Sequence, residues 1–211
     1  QHPDGEVVES PLPVEARGLS LGEFVKTPSF WLLALMIFFI NTLNMGIQQH
    51  LIPYLTDLGY TSTFAANIMG LYLGMTVVGK LSLGHISDTR GLSAGMWSFT
   101  VILAAGIAML FGAGWAVLAV MFALVYGTGN AIQTVLPPLM TARCAGIKHY
   151  AVIYGILSIF STLGSAIGMP LSGYLYDWKG NYDMAFAIYI VLAVAGMIMG
   201  MGALKRSKYE T

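Results

Sequence analysis

The sequence predicts an all-α membrane protein with six transmembrane helices. Of its 211 residues, 56% are hydrophobic and only 9% are charged, and the mean hydropathy is +0.72. Soluble domains carry about 25% charged residues. Six apolar runs are long enough to cross a bilayer core, which takes about 20 residues per helix. Because lipid excludes open sheet edges and the runs are too long for barrel strands, we expect each to be a helix.

The six predicted spans follow one another closely along the chain. Their approximate bounds are 29–54, 64–85, 93–111, 115–140, 150–175 and 184–204. We divide the chain accordingly into a flexible cytoplasmic loop or tail over 1–27, a six-helix transmembrane domain over 28–204, and a cytoplasmic C-terminal tail over 205–211.

Basic residues predict the orientation of the bundle. Eight of the ten lysines and arginines fall on one side of the predicted membrane, whereas Lys179 lies alone on the other and Lys80 lies within a span. An excess of basic residues marks the cytoplasmic side. Both termini are therefore predicted to be cytoplasmic, in a multi-pass protein of a plasma membrane or bacterial inner membrane.

Glycine and proline predict two features of the helix packing. Pairs four residues apart, such as Gly70/Gly74 and Gly164/Gly168, let helix backbones approach closely, although glycine is common in membrane helices generally. In the fourth span, glycines and prolines between 127 and 138 free backbone groups and favour bends, as found where membrane helices open around a cavity.

Polar side chains follow one face of four of the spans. Residues spaced by three or four along a helix share a face. The stripes are Asn41, Asn44 and Gln48; Tyr72, Thr76 and Lys80; Tyr126, Asn130 and Gln133; and Tyr154, Ser158, Ser161 and Ser165. Such groups can bond across helices and hold a bundle together, which we favour for the serines. For the amides we favour a polar cavity, because several amides on one face are hard to satisfy in lipid.

Lys80 is the charged residue inside a predicted span and so the first candidate for function. A lysine at membrane depth costs about 2.5–3.5 kcal/mol on insertion scales, so it usually faces a watery cavity or an anion. We favour anion attraction or an internal ion pair over the alternative, in which the ammonium snorkels to the cytoplasmic interface.

Asp88 and Arg90 lie in a predicted charged turn after the second span. A carboxylate gains from a helix N-terminus and can pair with an arginine of a neighbouring helix. We interpret the pair as a cytoplasmic gate, with a simple cap on the next helix as the alternative.

Catalytic and metal-binding patterns are missing from the sequence. No His, Cys or carboxylate pair has metal-ligand spacing, and no nucleophile motif or phosphate-binding loop is present. We therefore expect no enzyme, no cofactor and no metal site.

Three stretches of the chain resemble the major facilitator superfamily, specifically the C-terminal six-helix half of its members. They comprise Leu58-Gly59-Tyr60 with Ala65-Ala66, Gly79-Lys80 with Gly84 and Ser87-Asp88, and Gly168-Met169-Pro170-Leu171-Ser172-Gly173-Tyr174-Leu175-Tyr176-Asp177. The segment 84–91 is similar to the cytoplasmic loop signature of the superfamily but lacks its doubled basic ending. The closer resemblance, which the three stretches carry, is to the monocarboxylate porters and the oxalate/formate antiporter group.

The resemblance implies half of a twelve-helix fold, with the six helices arranged as two inverted three-helix repeats. It also implies alternating access and a second six-helix half, in the same gene product or in another chain. In these relatives the position of Lys80 is usually an arginine that engages the substrate carboxylate. This chain departs from them in having Thr76 where animal monocarboxylate porters have an aspartate, and no lysine near Leu157, where oxalate exchangers have one.

The leading hypothesis is secondary transport of a small organic anion, a monocarboxylate first, with a coupling proton as a further candidate. Lys80 would supply positive potential, and the cavity would be lined by Tyr72, Thr76, Asn41, Asn44, Gln48, Tyr126, Asn130 and Gln133. One alternative keeps the fold but carries a neutral solute or drug. Another is a transport-inactive six-helix subunit or sensor. We expect contact with the lipid bilayer and none with nucleic acid.

Overall fold

A computed structural model describes residues 18–207, and the predicted tail segments over 1–17 and 208–211 lie outside the described residues. Within 18–207 the helices are α1 Leu21–Phe24, α2 Pro28–Asp57, α3 Ser62–Arg90, α4 Leu92–Leu110, α5 Ala116–Gly129, α6 Ile132–Ala145, α7 Tyr150–Lys179 and α8 Asp183–Lys205. Six spans are long and apolar enough to cross a membrane, with α5 and α6 together forming the fourth, Ala116–Ala145. The predicted fold class is confirmed.

Residues 18–27 form a helical turn fixed to the bundle. The Ser20 backbone N–H donates to the Glu23 carboxylate at 2.8 Å, and the Ser20 hydroxyl accepts from the Glu23 N–H, so α1 has a capping box. The Ser20 hydroxyl also donates to the Glu23 carboxylate at 2.7 Å, and this bond, followed by the one from the Ser20 N–H, lowers the pKa of Glu23. Leu19 N–H donates to the Ala145 carbonyl at 2.8 Å, and Phe24 is fully buried. This part of the 1–27 interval is therefore docked against the end of α6.

The helix ends follow local sequence signals. The Thr27 and Thr61 hydroxyls accept the N–H groups of the first turns of α2 and α3. Contrary to prediction, Asp88 and Arg90 lie in the last turn of α3 and not in a charged turn. Gly91 alone makes the connection to α4, because glycine adopts its positive φ of 87° without strain.

The helix packing has the internal symmetry of two three-helix repeats. α2 packs mainly against α7 and α8, and α5 packs mainly against α3 and α4. Exchanging α2 with α5, α3 with α7 and α4 with α8 reproduces these pairs. The arrangement is the one expected of inverted repeats, which place two equivalent helices at the centre of the half.

Glycines allow close approach of the helices at the two equivalent crossings, α2 with α7 and α5 with α3. A Cβ on Gly168 of α7 would lie 2.1 Å from the Thr42 carbonyl oxygen of α2, and one on Gly79 of α3 would lie 2.2 Å from the Thr128 carbonyl oxygen of α5. Backbone therefore packs directly on backbone at both crossings. Gly74, by contrast, has nothing within 4 Å of such a Cβ.

The helices α3 and α7 are the least covered of the spans. Only 28% and 22% of their most apolar windows are buried, against 67% for α2. Their exposed side chains are largely apolar, for example Leu73 and Val77 on α3 and Ile159 and Leu163 on α7. These two helices thus present a large surface for lipid or for a further helical domain.

Candidate functional site

Six polar side chains meet at the middle depth of the bundle. This central polar cluster consists of Asn41 and Asn44 on α2, Tyr72 on α3, Tyr126 on α5, Asn130 after α5, and Gln133 on α6. The two α2 asparagines flank the midpoint of Pro28–Asp57, and Asn130 lies at the midpoint of Ala116–Ala145. The sequence stripes on three spans therefore converge at one level.

Hydrogen bonds connect the cluster across four helices. The Asn44 side-chain amide donates to the Asn130 side-chain oxygen and, at 3.4 Å, to the Tyr126 hydroxyl. The Asn130 amide donates to the Tyr72 hydroxyl at 3.1 Å. In a second pair, the Gln133 amide donates to the Asn41 side-chain oxygen at 2.9 Å, and Asn41 donates to the Ile37 carbonyl at 2.8 Å.

The cluster is enclosed by protein on most sides. Asn41, Asn44 and Asn130 are 4%, 1% and 6% exposed, and both tyrosines are fully buried. The structure thus places these residues against one another within the half, with the Gln133 side chain half-buried at the edge. The lining of an open cavity by these residues stays a prediction.

Asn44 contains a buried acceptor without a partner. Its side-chain oxygen is fully enclosed, yet it accepts no hydrogen bond within residues 18–207. An unsatisfied buried polar group costs about 1–3 kcal/mol. The centre of the cluster therefore has unused capacity to accept a hydrogen bond.

The fourth span is interrupted at the cluster. The α5 helix ends at Gly129 and α6 begins at Ile132, and the intervening N–H of Ala131 reaches the Thr128 carbonyl at 3.4 Å, a three-residue step. Downstream, Pro137 and Pro138 supply no N–H to the carbonyls four residues earlier. The break in the fourth span is therefore a two-residue interruption at Asn130 and Ala131, both of which keep right-handed helical φ and ψ.

Lys80 lies one helical turn from Thr76, on the less covered side of α3. The Thr76 hydroxyl is buried and donates to the Tyr72 carbonyl at 3.1 Å, whereas Lys80 is exposed. Within residues 18–207 its ammonium makes no hydrogen bond or ion pair. Lys80 therefore lies two helical turns, about 12 Å, along α3 from Tyr72 of the central cluster, and it is unpaired within residues 18–207.

The depth of Lys80 follows from the dimensions of α3. Its 29 residues span about 43 Å, and the hydrocarbon core is about 30 Å thick. Thr76 is the central residue of the helix, so with α3 centred in the bilayer the Cα of Lys80 lies about 6 Å from the midplane. That position is about 9 Å inside the edge of the hydrocarbon core.

The other predicted site residues lie apart from the cluster. Gln48 is half-buried, one turn beyond Asn44 on α2. Asp88 and Arg90 are exposed in the last turn of α3, and neither forms an ion pair within residues 18–207. Their role as a cytoplasmic gate stays a prediction. On α7, Ser158 donates to the Gly155 carbonyl of its own helix at 2.7 Å, so it forms no link to a neighbouring helix.

His50 joins α2 to α7 and to the start of α8. Its Nε2 lies 3.0 Å from the Met169 carbonyl oxygen, and its Nδ1 lies 3.2 Å from the Tyr182 hydroxyl. Because a carbonyl only accepts, Nε2 carries the hydrogen, and in the neutral ring Nδ1 accepts from Tyr182. Burial, with Asp57 next in importance, raises the pKa of Tyr182 to about 12. The hydroxyl therefore remains a donor at neutral pH.

Tyr189 on α8 is a polar contact that the sequence stripes do not indicate. Its ring is fully buried, and its hydroxyl hydrogen bonds with Ser172 and the Gly168 carbonyl. A Cβ on Gly46 would lie 2.0 Å from the same hydroxyl. The sequence signal for this contact was a glycine, Gly46, on one helix and a lone tyrosine, Tyr189, on another. Sequence spacing does not show that these two helices face each other.

Comparison with known proteins identifies the family. The family model described as Major Facilitator Superfamily matches residues 34–211. The chain belongs to the Major Facilitator Superfamily. It is therefore an integral membrane protein, and its packing symmetry corresponds to one six-helix half of the superfamily fold.

Several curated members of the superfamily are similar in sequence. Monocarboxylate transporter 9 of Mus musculus is 34% identical over 115 residues, covering 53% of this chain and 22% of the relative. Monocarboxylate transporter 14 of Homo sapiens is 31% identical over 167 residues, covering 75% and 29%. Monocarboxylate transporter 13 of Rattus norvegicus is 28% identical over 172 residues, covering 78% and 38%. The predicted resemblance to monocarboxylate porters is confirmed, and the chain spans well under half the length of these relatives.

Proposed function

We propose that this chain forms one half of a secondary transporter that moves small organic anions, monocarboxylates first, by alternating access. The observation that carries the proposal is Lys80, a mid-depth cation without an ion pair in the described chain. A lysine at such a depth is stabilised by an anion or a watery cavity. A carboxylate substrate supplies the anion, and the names of the similar transporters point to the same class.

The central polar cluster has two roles in this proposal. Its amides and hydroxyls provide neutral hydrogen-bond donors and acceptors two helical turns from Lys80 along α3, suited to the uncharged part of a small organic acid. It also ties α2 to the break at Asn130 through the bond between Asn44 and Asn130. A rearrangement that supplies a donor to the unpaired Asn44 oxygen would move Asn130 with it and so shift α6 relative to α5. Broken helices near the membrane centre serve this purpose in many transporters.

The transport pathway requires a second six-helix half in this proposal. The uncovered faces of α3 and α7 are the surfaces that would meet it, with Lys80 on the α3 side. The orientation predicted by the basic residues places both termini in the cytoplasm, with Asp88 and Arg90 at the inner gate. A coupling proton would be carried by the second half, by the substrate or by His50.

Uptake by proteoliposomes tests the substrate class. The chain, reconstituted together with its second half, is supplied with labelled lactate and challenged with unlabelled lactate or with the neutral analogue lactamide. We expect lactate to compete and lactamide to compete at least tenfold less well, since hydrogen bonds to charged groups contribute about 1.5–3 kcal/mol. Equal competition by lactamide would favour the neutral-solute alternative, and uptake no greater than in empty liposomes would favour a transport-inactive subunit.

A further inference from the structure

An apolar groove runs between α4 and α8 on the outside of the bundle. Its volume is about 920 Å³. Its walls are apolar almost throughout, and they include Trp97, Val101 and Ala105 on α4 and Val194 and Ile198 on α8. The groove reaches Ala108 on α4, eleven residues beyond Trp97, which corresponds to about 16 Å. That length matches one leaflet of a hydrocarbon core about 30 Å thick.

One end of the groove is basic. Lys205, the last residue of α8, lines the groove itself. The preceding Leu204 lines a crevice of about 270 Å³ together with Arg90 and Arg143. The crevice is tied across the helix ends by the Ser207 hydroxyl, which donates to the Arg143 carbonyl at 3.2 Å. Lys205 thus lines the end of the apolar groove, and Arg90 and Arg143 line the crevice that follows it.

The groove and the crevice are consecutive along both helices. On α4, Ser93 lines the crevice and Trp97, one turn later, lines the groove. On α8, Leu204 and Lys205 are neighbours in sequence. Asp88 lies two residues before Arg90 but does not line the crevice. No carboxylate therefore lines the crevice beside Arg90 and Arg143. An occupant would therefore need an apolar chain one leaflet long and an anionic group at its end.

We propose that this surface binds an anionic phospholipid. One acyl chain lies in the α4–α8 groove, and the headgroup phosphate lies among Lys205, Arg90 and Arg143. Arginine matches phosphate oxygens with two parallel N–H donors, and lysine adds a point charge. The predicted orientation puts this end on the cytoplasmic side, where the anionic lipids of the leaflet are attracted by basic residues. A soluble anion would satisfy the cations but leave the apolar groove unused.

Native mass spectrometry of the detergent-purified chain tests the proposal with phosphatidylglycerol and phosphatidylcholine of identical acyl chains. We expect phosphatidylglycerol to bind more tightly, and Arg143→Gln and Lys205→Gln each to weaken it by about fivefold, the effect of one basic residue near a membrane surface. Lys148→Gln is the matched control, because Lys148 is an exposed cation on the same predicted side and lines neither hollow. The affinity of Lys148→Gln for phosphatidylglycerol should equal that of the wild type.

A second pair of variants tests the acyl-chain part. Ala105→Phe fills the groove from an exposed position and should weaken both lipids, whereas Ala187→Phe, exposed elsewhere on α8, should weaken neither. Equal affinity for the two lipids in the wild type would overturn the proposal. So would an equal loss in Lys148→Gln, unchanged binding in Ala105→Phe, or displacement by soluble glycerol phosphate as effective as by phosphatidylglycerol. A thermal transition first confirms that each variant is folded. The fraction of that folded protein with bound lipid is then compared with the wild type.

Discussion

The α2–α7 crossing depends on Gly168, and replacing it by alanine should loosen the half. The new Cβ would lie 2.1 Å from the Thr42 carbonyl oxygen and 3.1 Å from the Gly46 nitrogen. Both neighbours are backbone, so neither can rotate away, and α7 must retreat by about 0.9 Å to restore a contact of 3.0 Å. Ser172, one turn further, would then lose its 3.2 Å hydrogen bond to the Gly46 carbonyl.

The expected cost is that of overpacking, about 1–3 kcal/mol. For a chain of this size, each kcal/mol lowers the melting temperature by about 2–4 °C. Thermal unfolding in detergent should therefore show a decrease of about 2–12 °C for Gly168→Ala. Gly155→Ala is the matched control on the same helix, because nothing lies within 4 Å of its Cβ. A Gly168→Ala transition at the wild-type temperature, or an equal loss in the control, would refute the packing argument.

Three further predictions concern hydrogen bonds. Asn130→Ala removes the stronger acceptor of the Asn44 amide, leaving only the 3.4 Å bond to Tyr126, and removes the donor to the Tyr72 hydroxyl. We expect a loss of about 1–3 kcal/mol in the free energy of unfolding, measured by denaturant titration, and no loss would contradict the network. Ser20→Ala removes the cap of α1 and should accelerate amide exchange over 18–27 but not in α2; unchanged exchange would contradict the docked turn. The pKa of Tyr182 is raised to about 12, so its contribution to stability is complete below pH 10 and is lost as the pH approaches 12. The melting temperature of Tyr182→Phe should therefore fall less than that of the wild type between pH 10 and pH 12, and equal decreases would contradict the shift.

Hydropathy and helical periodicity predict the fold well because the bilayer fixes span length and backbone geometry. The predicted spans agree with the helices to within a few residues, apart from the second and fourth, which extend five residues further to Arg90 and Ala145. The error at Asp88 and Arg90 arises because charge was taken to end the helix. Gly91 was the better signal, since a glycine with positive φ is common where a helix ends.

Periodicity is less informative about the candidate site. It groups Asn44 and Asn130 on polar faces of their own helices, but it gives no distance between those faces. The structure brings the two amides into contact at the break in the fourth span, where the Asn44 amide donates to the Asn130 side-chain oxygen while the Asn44 oxygen accepts no bond within residues 18–207. Lys80 differs because it has no partner within residues 18–207, and its anion is the part of the account that remains a proposal.

The most direct test of that account is the dependence of carboxylate transport on the charge at Lys80. In proteoliposomes containing the chain with its second half, Lys80→Gln should raise the KM for lactate by about 10- to 150-fold, the equivalent of 1.5–3 kcal/mol for a hydrogen bond to a charged group. Lys80→Arg keeps the charge and should retain saturable uptake, while Lys148→Gln, which removes an exposed cation elsewhere, should match wild type. A Lys80→Gln protein with wild-type KM and rate would contradict the assignment of Lys80 as the anion contact.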